Sequence, residues 1–120
     1  MNEKKQPSNR QLKVAQQIRF LVSNFFIKED FIFEKFDSKD LTIVDVILST
    51  DLKNAKIFVT TNSVNANMIF IDELNHKSKL IQKKIASNLT SKFTPKIKFF
   101  YDNSFDYSDK IKNLLATVNR

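Results

Sequence analysis

The 120-residue sequence has no glycine, no cysteine and no tryptophan, and only two prolines and one histidine. Loops that bring backbone against a phosphate need glycine, because any Cβ would block the approach. The P-loop, the dinucleotide fingerprint and the GXXG loop of ordinary KH domains are therefore excluded. Enzymes that hold a nucleotide cofactor through such loops drop out, and no cofactor is expected. Without cysteine there are no disulfides, zinc ribbons, iron–sulfur clusters or thiol nucleophiles, and nothing points to an oxidising compartment. A cytoplasmic location is expected. Long apolar runs are also missing: no stretch approaches the roughly 18 consecutive apolar residues of a membrane span. The polar opening from Met1 to Asn9 is followed by no apolar signal segment.

What is present is enough for one folded domain, since about 100–200 residues usually make one. Hydrophobic residues make up 42% of the chain, and twelve of them are Phe, so a core can be buried. The expectation is a single domain over 1–120 with a flexible N-terminus at 1–8, and a monomer. The formal net charge is +7, and it is unevenly placed. Met1 to Asp40 carries a small excess of base, Leu41 to His76 an equal excess of acid, and Tyr101 to Arg120 is neutral. From Lys77 to Phe100 there are seven lysines, at 77, 79, 83, 84, 92, 96 and 98, and no acid. The whole net charge thus sits in one segment, the pattern expected of a footprint on a phosphate backbone. A solvated lysine-rich face is the plainer reading of the same pattern.

The run Ser8-Asn9-Arg10-Gln11 has the form of a capping box, and Val14, Ile18, Leu21, Val22 and Phe25 follow at helical spacing, predicting a helix from about Asn9 to Phe26. Phe26 to Asp40 has no clear period and reads as a loop with a short turn, tied down by Phe31, Phe33 and Phe36. Leu41–Thr50 and Ala55–Thr61 are β-branched and alternating, with Asp51 to Asn54 as the turn of a hairpin. Strict alternation puts Val44, Val46 and Leu48 on one face and Ile43, Asp45 and Ile47 on the other, so one face is expected to carry helices. From about Val64 the stripe Met68, Ile71, Leu74, Ser78, Ile81, Ile85 and Leu89 predicts a long amphipathic helix, with Lys79, Lys83 and Ser87 on the opposite face. Ala86-Ser87-Asn88 are small or polar residues that compete for backbone hydrogen bonds, so two helical pieces are expected to meet near Ser87. After Pro95, Lys96 to Tyr101 alternates lysine outward with Ile97, Phe99 and Tyr101 inward, a third strand. A last helix is signalled by Tyr107, Ile111, Leu114, Leu115 and Val118, with Ser104 or Ser108 as cap.

The order α–β–β–α–α–β with a C-terminal helix is that of an α+β, KH-like type II domain. Three stretches carry a more specific resemblance. Arg10-Gln11-Leu12-Lys13-Val14-Ala15, the run from Asp45 to Ile57 (DVILSTDLKNAKI) and the run from Pro95 to Ser104 (PKIKFFYDNS) resemble the signatures of the ribosome-binding factor A family, in the family's order. Leu74-Asn75 and Ser78 resemble a further element of it. The resemblance spans Arg10 to about Leu115. It implies a non-enzymatic factor that binds the free small (30S) ribosomal subunit and its 16S rRNA late in maturation. It also implies support for 5′-end processing of the precursor rRNA, notably in the cold. The family has a helix–kink–helix junction with an A-x-G element in place of the GXXG loop, and the reading here places that kink at Ala86, Ser87 and Asn88, with Asn where the family has Gly.

On this reading the rRNA contacts are Arg10, Lys13, Lys77, Lys79, Lys83, Lys84, Ser87, Asn88 and Lys92. Ser87 and Asn88 would meet phosphate or ribose where the helix restarts, near a positive dipole end. No catalytic residue, metal, membrane or small-molecule substrate is expected. Two rival readings are a small RNA-processing enzyme, with Asp45, Asp51 and Asp102 holding a metal, and a protein–protein adaptor. The spacing of those three aspartates suits turns better than ligation. His76, flanked by Asn75 and Lys77, is expected to be exposed and inert. Of the strand aromatics, Phe99 and Tyr101 are expected in the core and Phe100, on the lysine side, is the one placed to stack on a base.

Overall fold

The first helix starts where the sequence signals it. In the computed structural model, which describes residues 6–29, 31–61 and 69–102, α1 runs over Asn9–Ile27. The Ser8 hydroxyl accepts from the Gln11 N–H at 3.1 Å, and the Gln11 side-chain oxygen accepts from the Ser8 N–H at 2.7 Å. Gln11 is also buried, and its amide nitrogen donates to the Leu48 carbonyl at 2.9 Å. One residue therefore closes the cap and ties the start of α1 to the end of a strand. Ser8→Ala should cost about 1 kcal/mol, the usual worth of such a cap, read as a shift of the denaturant midpoint at unchanged slope.

The buried side of α1 is Val14, Ile18, Val22, Phe25 and Phe26, with Leu21 packed beside them. Beyond Ile27 the chain turns through Glu29 at φ 56°, and the hairpin loop uses Leu52 at φ 61°. Helix ends and tight turns favour the left-handed region, where glycine fits without a clash. A chain lacking glycine fills those positions with residues that carry a Cβ, at a cost of roughly 1–2 kcal/mol each. Leu52 offsets that cost by burying its side chain.

The Phe-rich connection is held as the sequence suggests. Phe33 is buried, Phe31 and Phe36 pack against the core, and Phe33 stacks on Phe36 with centroids 4.5 Å apart. Phe26 meets Phe33 edge-on at 6.4 Å, and the Ser38 hydroxyl donates to the Phe26 carbonyl at 2.7 Å. A short 3-10 turn, Ser38–Asp40, leads into the sheet.

Strands β1 (Leu41–Leu48) and β2 (Asn54–Thr61) pair antiparallel, and β3 (Lys96–Tyr101) pairs parallel to β2, giving the order β1-β2-β3. The alternation expected for β1 fails at one point. A bulge between Ile43 and Asp45 shifts the register, so that Leu41, Ile43, Val46 and Leu48 are buried while Val44 is only half-buried. An extra residue in one strand reverses the phase of everything before it. Ile43 therefore faces the helices, contrary to the alternation read from sequence, and the Arg19 guanidinium donates to its carbonyl at 3.2 Å.

In the hairpin turn, the Asp51 carboxylate accepts from the Ser49 hydroxyl at 2.6 Å and from the Lys53 N–H at 3.0 Å. These bonds, the Ser49 hydroxyl first, hold the Asp51 carboxyl below its ordinary value of 3.8. A carboxylate with a lowered folded value stabilises the turn above its ordinary value, and that support is lost as pH falls through the lowered one. Ser49→Ala should raise the Asp51 midpoint toward 3.8, read by NMR titration of its carboxyl carbon; an unchanged midpoint would contradict the assignment.

Two helices cross from β2 to β3: α2 (Ile69–His76) and α3 (Ser78–Ala86). Ile71, Leu74, Ile81 and Ile85 are buried along them, matching the expected stripe. α1 packs on β1, and α2 and α3 on β3, so the helices share the sheet face that carries Ile57, Val59, Ile97 and Phe99. The start of the long helix at Val64 to Met68 and the C-terminal helix signalled by Tyr107 to Val118 lie outside the described residues.

The break between the two helices is not near Ser87. It lies at Lys77, whose N–H is shared between the Glu73 and Leu74 carbonyls at 3.3 and 3.1 Å. Ala86 is the last residue of α3, and Ser87 and Asn88 form its closing turn. No helix restarts before β3 among the described residues. Ser87 and Asn88 thus sit at the negative end of a helix dipole, and the dipole argument for phosphate binding there does not hold.

Candidate nucleic-acid interface

The break at Lys77 lies two residues after a tertiary contact. Asn75, in the last turn of α2, accepts from the Phe99 N–H at 2.8 Å and donates to the Phe99 carbonyl at 3.1 Å. One amide side chain thereby pairs with the outer edge of β3, as a neighbouring strand would, and blocks that edge against further pairing. It also fixes the start of α3 beside the lysines of β3.

Two grooves meet at that edge. One, of about 610 Å³, lies between α3 and β3 and is lined by Lys79, Gln82, Lys83, Thr94 and Lys96, with Ser78 and Ile97 at its end. The other, of about 830 Å³, takes in Asn54, Lys56, Asn75, Lys98 and Phe100. They share Ser78, Lys96 and Ile97, so a single channel runs from α3 round the edge of β3. Five lysines line it, at 56, 79, 83, 96 and 98, and no carboxylate does. All five are exposed. Such a surface attracts polyanions and binds them with a strong dependence on salt. A third depression, over the Phe-rich loop, is lined by Glu29, Glu34 and Asp37 as well as Lys35, a mixture that repels phosphate.

The expected contact residues divide into groups. Lys79 and Lys83 line the channel. Lys77 and Lys84 turn the other way: Lys77 lies over the Phe33 ring at 5.9 Å, and Lys84 over Phe25 and Phe31 at 5.1 and 5.3 Å. Their ammonium groups brace the aromatic loop through cation–π contacts. Lys92 lies over its neighbour Phe93 at 5.5 Å. Arg10 and Lys13 are exposed on the first turns of α1. Lys13 shares a helical face with Gln17, whose side chain accepts from the Thr90 N–H and hydroxyl at 3.3 and 3.2 Å. That face of α1 adjoins the end of α3, where Ser87 and Asn88 are exposed.

Lys56, Lys96 and Lys98 were not among the expected contacts. The alternation of β3 already points Lys96 and Lys98 outward together. Lys56 joins them only because parallel pairing sets it level with Lys98, a register that no local pattern encodes.

The aspartates of the metal-enzyme reading are spread over the sheet. Asp51 is a turn residue, Asp45 lies within β1 with its carboxylate accepting from the Val46 N–H at 2.8 Å, and Asp102 follows β3. His76 is exposed, with its Nδ1 3.0 Å from the Asp72 carbonyl one turn back. Among the described residues no three His, Asp or Glu side chains gather as a metal site, and no helix is long and apolar enough to cross a membrane.

The family model described as ribosome-binding factor A matches residues 10–115. The chain belongs to the ribosome-binding factor A family. Among similar proteins is the Pelagibacter ubique ribosome-binding factor A, 33% identical over 113 residues that cover 94% of this chain and 93% of the relative. The Beijerinckia indica protein of the same name is 35% identical over 111 residues, covering 92% of this chain and 79% of the relative. The fold has solved counterparts. A solution structure from Thermotoga maritima, named for a ribosome binding factor A, superposes with a TM-score of 0.65 at 22% identity, over 84% of this chain and 94% of that one. The crystal structure of ribosome-binding factor A from Thermus thermophilus gives 0.62 at 13% identity, over 76% and 94%. A model of the Thermus protein has been fitted into a cryo-EM map of a 30S complex; its TM-score is 0.58 at 13% identity, over 74% of this chain and 91% of that one. Family membership agrees with the resemblance read from Arg10 to about Leu115, and the mixed α+β fold agrees with the expected class.

Proposed function

We propose that this protein binds the free small ribosomal subunit late in its maturation, through its 16S rRNA, and acts there by shape and charge without catalysing a reaction. It assists assembly and the 5′-end processing of precursor 16S rRNA, with the greatest need in the cold, and works as a cytoplasmic monomer. Family membership supports the ribosomal partner. The observation that carries the mode of binding is the channel between α3 and the β3 edge, with five lysines and no carboxylate along it. Phosphate contacts of this kind position a protein on folded RNA, and need neither a metal nor a nucleophile.

Co-sedimentation of the purified protein with free small subunits, large subunits and joined ribosomes tests this. The expected result is selective pelleting with free small subunits that weakens steeply as salt rises. Pelleting indifferent to salt would favour a protein-contacting adaptor, and no pelleting would refute the ribosomal reading.

A further inference from the structure

The sheet face away from the helices carries its own aromatic group. Phe58 and Phe100 are level in the β2/β3 register and stack at 5.5 Å between centroids with 26° between planes. Both are half-buried, whereas their strand neighbours Ile57, Val59 and Phe99 are buried beneath the helices. The Lys98 and Lys56 ammonium groups lie over the Phe100 ring, 5.3 and 5.9 Å from its centroid, and the two lysines are themselves level in register. Two carboxylates border this face: Asp45, opposite Phe58, is turned back onto the Val46 N–H, and Asp102 stands two residues beyond Phe100, its N–H donating to the Val59 carbonyl. The groove that contains Lys56, Lys98 and Phe100 continues through Lys96 into the α3 groove.

We propose that this face is a stacking platform for single-stranded RNA: an unpaired base lies on Phe100, while Lys56 and Lys98, side by side before it on the parallel strands, hold phosphates of the same strand. Phosphate affinity alone needs only lysines. A ring beside a pair of lysines adds a surface that only an unstacked base can use, and duplex RNA keeps its bases stacked inside. The bound segment would be a single strand that leaves the α3 groove at Lys96 and crosses onto the sheet. This inference rests on the RNA-binding reading above and specifies the kind of RNA.

The test compares a fluorescein-labelled ten-nucleotide single-stranded RNA with the duplex of the same sequence, by anisotropy, for the full chain and its Phe100→Leu, Phe100→Tyr and Lys98→Gln variants. Phe100→Leu keeps an apolar side chain but removes the π face. It should weaken single-strand binding by about tenfold, in the range for one lost base stack, with duplex binding unchanged. Phe100→Tyr should restore the wild-type affinity, and Lys98→Gln should flatten the salt dependence of single-strand binding. A purely structural aromatic pair would lower the melting temperature of Phe100→Leu and leave the ratio of single-strand to duplex affinity untouched. That result, or equal losses for both RNAs, would overturn the proposal. If the wild-type protein pellets with small subunits but binds single strands indifferently to Phe100, this inference alone fails. If it binds neither RNA nor subunits, the functional reading fails with it.

Discussion

Changing Lys79, Lys83 and Lys96 together to glutamate should weaken binding to free small subunits on the order of 1,000-fold, about tenfold for each phosphate contact turned into a repulsion. These three lysines line one groove, two from α3 and one from β3, and no carboxylate there already offsets them. The logarithm of affinity should also fall less steeply with salt, by roughly 2–3 units of slope, because three fewer counterions are released. Reversing Lys28 and Lys35, equally exposed but outside the channel, should change affinity little. Changing Lys84 should act differently again. Its ammonium group is engaged over Phe25 and Phe31, so its loss should loosen the aromatic loop more than it weakens RNA binding. Equal effects from all of these changes would mean that net charge, and not the channel, governs binding.

The second large effect concerns the core. Phe26 is 2% exposed and touches Phe33 of the loop and Phe99 of β3, the latter at 6.3 Å between centroids. It joins α1, the Phe-rich loop and the sheet at one point. Phe26→Ala should cost about 3–5 kcal/mol, the usual range for a buried ring replaced by a cavity. Out of a typical total of about 5–15 kcal/mol, that is enough to lower the melting temperature by more than about 10 °C. Phe20→Ala on the same helix, where the ring is 68% exposed, should stay within about 0.5 kcal/mol. Thermal melts of the two variants followed by circular dichroism distinguish a shared anchor from a general tolerance.

Most of this architecture is written locally. The capping box at Ser8, the three-and-four spacing after it and the β-branched strands each carry their own signal, and each element forms where that signal lies. The departures come from interactions that join distant parts of the chain. The apolar stripe from Ile71 to Ile85 keeps its phase through Lys77, so its period cannot locate the break, and beside it Asn75 pairs with Phe99 on a distant strand. The bulge at Val44 has no glycine to announce it, and its visible consequence, Ile43 among the buried residues, depends on pairing with β2. The site follows the same rule. Lysine spacing on α3 places Lys79 and Lys83 on one surface, but Lys77 and Lys84 turn toward rings on another segment, and Lys56 arrives only through the parallel register.

The proposed rRNA interface lies along α3 and the β3 edge. Lysine acetylation of the full-length protein, free and bound to small subunits, read residue by residue by mass spectrometry, tests it directly. Lys79, Lys83, Lys96 and Lys98 should be protected on binding while Lys28 and Lys39 react as before. Protection of Lys28 and Lys39 with the α3 and β3 lysines still reactive would contradict it and move the interface to the other side of the molecule.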